Sequence, residues 1–255
     1  MSDSMTMLRR NVRHTARNPG AIVMTIALPV LLLLLFVGVF GGTLNAGFGP
    51  ARPSADYINY LVPGILLMTV GYGATTTALA VNRDMTAGII NRFRTMAISR
   101  TSVLTGHVIG SAARTLISAA LVIAVALALG YRPTGDAVRW LGAAGLIALL
   151  TWAMTWLGVA VGLAAPTAEA TAPFTLITQL LPFLSSAFVP PAAMAGAVRW
   201  FSAHEPFTPI IDSLRGLTLD QPIGHDGLLA VIWCLAIAAG GFTWARTLFS
   251  RDPRR

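Results

Sequence analysis

Six stretches of this chain, residues 18–51, 57–82, 115–131, 140–168, 170–198 and 227–245, contain no Asp, Glu, Lys or Arg. A helix rises about 1.5 Å per residue and needs roughly 20 mainly apolar residues to cross a hydrocarbon core, with about 17 as the working minimum. All six stretches reach that length, so the chain is expected to be an all-α integral membrane protein with six transmembrane helices. Only 11% of its residues are charged and its mean hydropathy is +0.69, against about a quarter charged in soluble domains. Six spans and their connections nearly consume the 255 residues, which are read as a single membrane domain, 1–255.

All 18 basic residues are Arg, and their distribution argues for topology rather than nucleic-acid binding. With a cytoplasmic N-terminus, twelve Arg and four acids fall inside, five Arg and six acids fall outside, and Arg114 lies within a span. The balance is +8 inside against −1 outside, so both termini are expected in the cytoplasm of a multi-pass cell-membrane protein. The first apolar stretch follows Arg-rich residues as a signal peptide would, but exceeds a 7 to 15 residue h-region and is read as a retained anchor. The lone Cys234 excludes an internal disulfide.

The spans predicted are 21–42, 58–81, 103–129, 140–165, 171–189 and 228–249. Ahead of them, Met5, Leu8, Val12 and Ala16 recur at helical spacing while Arg9, Arg13 and Arg17 stand four apart, describing an amphipathic helix over 1–20 on the inner leaflet lipids. Pro29, Pro63, Pro173 and Pro182 fall inside spans and predict kinks rather than breaks. Gly158 and Gly162 have the small-xxx-small spacing that lets helix backbones approach closely, as do Gly38 with Gly42 and Gly106 with Gly110. The outer segment 190–227 is too apolar for a free loop, and Pro206, Pro209 and Pro222 punctuate it into a pair of short re-entrant or interfacial helices.

The most informative polar stretch is cytoplasmic, running from Asn82-Arg83-Asp84 through Gly88 to Arg92-Phe93-Arg94 and Ser99-Arg100. Met85, Ile89, Phe93 and Met96 recur at steps of four, four and three, which gives a short helix one greasy face and an arginine-bearing remainder. Such a helix docks into a groove on a partner, although a solvated loop made basic by topology alone has the same composition.

Asp84-Met85-Thr86-Ala87-Gly88, followed by Asn91-Arg92-Phe93-Arg94 and Ser99-Arg100, resembles the cytoplasmic loop of type-2 ATP-binding-cassette (ABC) exporter permeases, particularly the daunorubicin-resistance branch. A second match runs from Leu184-Ser185-Ser186-Ala187-Phe188-Val189-Pro190 through Glu205-Pro206 and Thr208-Pro209 to Asp212-Ser213-Leu214-Arg215. It is similar to the family's signature at the end of the fifth span and in the outer helices, with Phe188, Pro190, Pro206, Pro209, Asp212 and Arg215 as its marks. Ala97, Ala195 and Glu205 depart from the family pattern, and Ala97 lets a helix continue where Pro would interrupt it.

The resemblance implies that Arg83, Asp84, Gly88, Arg92, Phe93, Arg94, Ser99 and Arg100 meet a separate ATPase subunit. It also implies a second permease, either a copy or a paralogue, and that ATP and magnesium are handled by the partner. Without lysine no Gly-x-x-x-x-Gly-Lys-Ser/Thr phosphate loop is possible, so no cofactor is expected on this chain.

Thr69, Tyr72 and Thr76 on the second span, Thr155 on the fourth, and Thr178 and Gln179 on the fifth are candidates for a translocation surface. Neutral polarity between apolar walls suits a small hydrophobic or amphipathic drug, antibiotic or lipid-like cargo; interhelical hydrogen bonding is the competing role. Arg114 is read as snorkelling to the inner interface and His107 as a packing residue. An ion-coupled secondary transporter is the first alternative, weakened because none of the ten acids lies in a predicted span. A membrane-embedded enzyme lacks converging catalytic groups, and a non-transporting scaffold is the remaining alternative.

Overall fold

The computed structural model describes residues 19–40, 55–86 and 100–250. The described residues are helical, with turns and no strand. In chain order the helices are α1 (Pro19–Leu35), continued by a wide π turn over Phe36–Phe40, α2 (Ala55–Thr86), α3 (Arg100–Ala128), α4 (Ala137–Ala164), α5 (Ala172–Leu180), α6 (Gly196–His204), α7 (Phe207–Thr218) and α8 (Asp226–Ser250). Four of them, α2, α3, α4 and α8, are long and apolar enough to cross a membrane. They lie over the second, third, fourth and sixth predicted spans.

Local chemistry sets the ends of these helices. Gly130, at φ 106°, closes α3 in a Schellman turn: Tyr131 N–H donates to Ala126 O at 2.9 Å and Gly130 N–H to Leu127 O at 3.2 Å. Asp136 caps α4 by accepting from Arg139 N–H at 2.8 Å. The other end of α4 stops at extended Ala165, ahead of Pro166, whose ring disfavours a helical residue before it. Pro29 and Pro63 sit inside unbroken helices.

The fifth predicted span differs. Instead of one helix over 171–189, a 3-10 turn (Glu169–Thr171) leads into the nine-residue α5, which passes into a second 3-10 turn (Leu181–Leu184). Pro182 cannot donate to the α-helical ladder, and Ser185 is extended, with its hydroxyl turned back to Pro182 O at 2.6 Å. The polar Ser185-Ser186 pair then leaves the helix altogether. Pro173 takes the first turn of α5, where a missing N–H costs nothing.

Helix α2 is the centre of the bundle, flanked by α1, α3, α4, α5 and α7, and α4 packs on α2 along one side and on α8 along another. Gly158 and Gly162 make the α2–α4 seam possible, since a Cβ at either would collide with the carbonyl of Ala74 or Ala78. Outward faces are apolar as well: Leu31, Ile117, Leu176, Ile177, Leu228 and Ile232 are all more than half exposed. A bundle greasy inside and out is built for lipid, and the chain is a multi-pass membrane protein.

Antiparallel neighbours sort the helix ends into two groups. The starts of α2, α4 and α8 and the end of α3 share one end with α7. The ends of α2, α4 and α8 and the first half of α3 share the other, around Val81, Val108, Val159, Ala245 and Phe249.

Candidate functional site

The densest polar construction lies at the end that holds α7. This amphipathic helix buries Phe207, Ile210, Ile211 and Leu214 against α2, α4 and α8, and that burial brings Asp212 and Arg215 against the start of α2. Arg215 Nη1 binds Asp212 Oδ1 at 2.5 Å, while its Nη2 donates to Ser186 O at 2.9 Å and Tyr60 O at 3.2 Å. The guanidinium also lies 3.7 Å from the centroid of the Tyr60 ring, a cation–π contact. Tyr60 Oη donates to Ser186 O at 2.8 Å, and Ser186 Oγ to Asp212 Oδ1 at 2.9 Å. One arginine thus knots α7, α2 and the broken segment after α5. Its side chain is 11% exposed and that of Asp212 30%, which places the pair nearer the buried than the surface regime.

A second carboxylate stands at the start of the same helix. Glu205 accepts from Phe207 N–H at 2.7 Å and Thr208 N–H at 2.5 Å, capping α7, and Thr208 Oγ1 accepts from Ser186 N–H at 3.1 Å. Burial pushes the Glu205 carboxyl above the ordinary range despite those two donors. Burial also raises Asp212, opposed by Arg215. At the far end of α7, Arg139 reaches Gln221 O at 3.1 Å and Asp220 at 2.9 Å, and the backbone N–H groups of Thr134 and Gly135 both donate to Thr218 O at 3.0 Å. The Gly216 and Thr218 carbonyls near the end of α7 thus accept from Arg139 in the first turn of α4 and from the turn before it.

The outer-signature residues gather around this construction. Asp212 and Arg215 are its ion pair; Pro206 and Pro209 stand at the start of α7; Pro190 leads into the 3-10 turn Pro191–Ala193. Phe188 stacks on Phe183 at 4.6 Å and on Phe36 at 4.7 Å, tying the segment after α5 to α1. Tyr60, Ser186 and Thr208 complete the network; Ser186 and Thr208 lie within the second family-like match without being among its marks, and Tyr60 lies outside both matches. Nothing local marks Tyr60, whose bond to Ser186 spans 126 positions.

The translocation candidates are dispersed. Thr69 donates to Ile65 O, Thr76 to Gly73 O and Thr155 to Thr151 O, each within its own helix. Thr178 donates to Phe174 O and lies 3.2 Å from Thr75 Oγ1, which makes one polar contact between α5 and α2. Tyr72 is half-buried, and Gln179 has a buried Nε2 without a partner. Arg114 Nη2 donates to Ser111 Oγ at 3.2 Å, one turn toward the N-terminus of α3.

Of the coupling candidates, Arg83 and Asp84 lie at the end of α2 opposite Tyr60, and Arg100 begins α3. Gly88, Arg92, Phe93, Arg94 and Ser99 lie outside the described residues, as does the amphipathic stretch before Pro19.

Comparison with known proteins adds a family match. Residues 3–219 match the model described as ABC-2 type transporter. The chain is 26% identical over 204 residues to a daunorubicin-resistance ABC transporter permease protein of Streptomyces coeruleorubidus, covering 80% of this chain and 69% of that one. It is 24% identical over 245 residues to a probable doxorubicin-resistance ABC transporter permease protein of Mycobacterium tuberculosis, covering 92% and 84%.

Proposed function

The chain belongs to the ABC-2 type transporter family, a transmembrane permease of an ABC exporter, and on that premise we propose that it moves a hydrophobic or amphipathic drug, antibiotic or lipid-like molecule outward by alternating access. Energy comes from ATP and magnesium in separate ATPase subunits, and a second permease, a copy or a paralogue, completes the passage. The chain crosses the cell membrane six times with both termini in the cytoplasm. The charge balance of +8 against −1 supports that orientation. The mixed column from Glu169 to Leu184 supports a fifth crossing: nine α-helical and seven 3-10 residues rise about 27 Å, close to a hydrocarbon core of about 30 Å.

The observation that carries this reading is the unbroken run of α2. Its 32 residues join Arg83 and Asp84, where the ATPase-facing segment begins, to Tyr60 beneath Arg215. A rigid helix of that length carries a push at one membrane face to the other. The path for cargo runs beside it, past Thr69, Tyr72 and Thr76, with Thr155, Thr178 and Gln179 on neighbouring helices.

The test is reconstitution with each ABC ATPase subunit of the same source organism. Expected are co-purification, ATP-dependent extrusion of an amphipathic drug from vesicles, and loss of extrusion on joint replacement of Arg92, Phe93 and Arg94 by Ala with membrane insertion intact. Failure of every ATPase to associate overturns the proposal.

A further inference from the structure

At the end of the bundle opposite the Arg215 knot, the last turn of α2 is fastened to the last turn of α4 by one side chain. Ala74, Ala78 and Asn82 follow one another at four-residue steps on α2; the first two face Gly158 and Gly162, and Asn82 continues that face. It is 1% exposed. Its Nδ2 donates to Ala165 O at 2.6 Å and to Gly162 O at 3.3 Å, using both amide protons. Gly162 needs such a donor, because the residue that would complete its helical bond is Pro166, which has no N–H. Asn82 Oδ1 is buried with no partner, so the side chain is held as a donor alone.

We propose that Asn82 is the positioning residue through which movement of the ATPase-facing segment reaches α4 and, through α4, α8. The inference rests on the reading that residues 84–100 meet an ATPase. Asp84 lies two residues beyond Asn82, so a displacement entering α2 passes this bracket first. Since α4 carries α8 along most of its length, a tie at the tip of α4 moves both. Without the tie, the tip of α2 parts from the tip of α4 beyond the glycine seam, and ATP is spent with little of the movement delivered to α4.

Asn82→Leu, close in size and without donors, is compared with wild type in proteoliposomes that also contain the ATPase, with ATP hydrolysed and cargo extruded measured on the same vesicles. Expected for Asn82→Leu is hydrolysis within two-fold of wild type and at least a ten-fold fall in cargo moved per ATP. Asn82→Gln, which keeps both donors on a longer arm, recovers much of that loss. Equal cargo per ATP in Asn82→Leu and wild type overturns this inference alone, whereas a wild-type complex that moves no cargo overturns the permease reading beneath it. A second measurement leaves residue 82 intact: spin labels at exposed positions 86 and 164, the last residues of α2 and α4, report the separation of the two tips with and without ATP. The expected separation is unchanged; a change on ATP binding overturns the proposal even if Asn82→Leu fails to assemble.

Discussion

Replacing Arg215 by Met retains the aliphatic stem and removes the charge, and the cost follows from what the guanidinium touches. It makes an ion pair at 2.5 Å, two bonds to carbonyls of other segments and a cation–π contact. Exposed ion pairs are worth about 0.2–1 kcal/mol, and breaking a buried one costs about 3–5 kcal/mol. With Arg215 at 11% exposure and Asp212 at 30%, the lower end of the buried range applies, about 3 kcal/mol. At about 2–4 °C per kcal/mol for a chain near this size, the apparent melting temperature in detergent falls by about 6–12 °C. Arg215→Lys recovers little, because a point charge cannot serve Asp212, Ser186 O and Tyr60 O together. A cycle with Asp212→Asn separates the pair from the rest, with a coupling of about 1–2 kcal/mol expected. A shift below about 3 °C, or strict additivity of the two replacements, refutes the account of the knot.

Gly158→Leu drives a side chain into Ala74 O across the α2–α4 seam and is expected to cost more than about 2 kcal/mol, read as lost monodisperse yield and a lower melting temperature; Gly145→Ala, with nothing within 4 Å of its Cβ, is neutral or slightly stabilising. For Glu205 the sign is set by burial, which raises its folded-state pKa. The folded chain therefore binds a proton more readily than the unfolded one, and stability rises as pH falls from neutrality toward the ordinary carboxylate range of about 4. Glu205→Gln flattens that slope in melts recorded across the interval, and an unchanged slope refutes the assignment. In cells, single cysteines at exposed Asp220 and Gln221 react with an impermeant maleimide added outside, whereas cysteines at Arg83 and Arg246 react only after permeabilisation; the reverse pattern overturns the orientation.

Four long helices are legible in the sequence because each contains an uncharged run of sufficient length; the ends set by Asp136 before α4 and Gly130 after α3 emerge only in the structure. The fifth was misjudged in its continuity, since a hydropathy window averages over Pro182 and the two serines that end the helix. Asp212 and Arg215 are named in the sequence only as marks of the family resemblance, and their ion pair on one short helix comes from the structure. Their partners are not readable either: Tyr60 and Ser186 are brought to Arg215 from 155 and 29 positions away, and no local pattern encodes such a meeting. The threonines expose a different limit. A hydroxyl inside an apolar helix can turn to its own backbone and still meet a neighbour: Thr69 turns only to Ile65 O, whereas Thr75 donates to Gly71 O and also lies 3.2 Å from Thr178 Oγ1.

The two ties divide the bundle mechanically. Helix α2, about 48 Å long at 1.5 Å per residue, is fastened to α7 and the Ser186 segment at one end and to α4 at the other. Between the ties, the Gly158 and Gly162 contacts hold the α2–α4 seam too close for sliding without repacking. Helices α2, α4 and α7 should therefore open as one cooperative unit. Helix α1 leans on α2 and α3 and stacks Phe36 on Phe188, lacking a comparable polar tie among the described residues. Hydrogen exchange of the solubilised protein tests the division: the central amides of α2 and α4 are expected to exchange together and last, those of α1 earlier, and Asn82→Leu to release the α4 end without releasing the α7 end. Exchange of α2 and α4 as separate units in wild type shows that the seam is not rigid, and a push on α2 is then absorbed before it reaches α4.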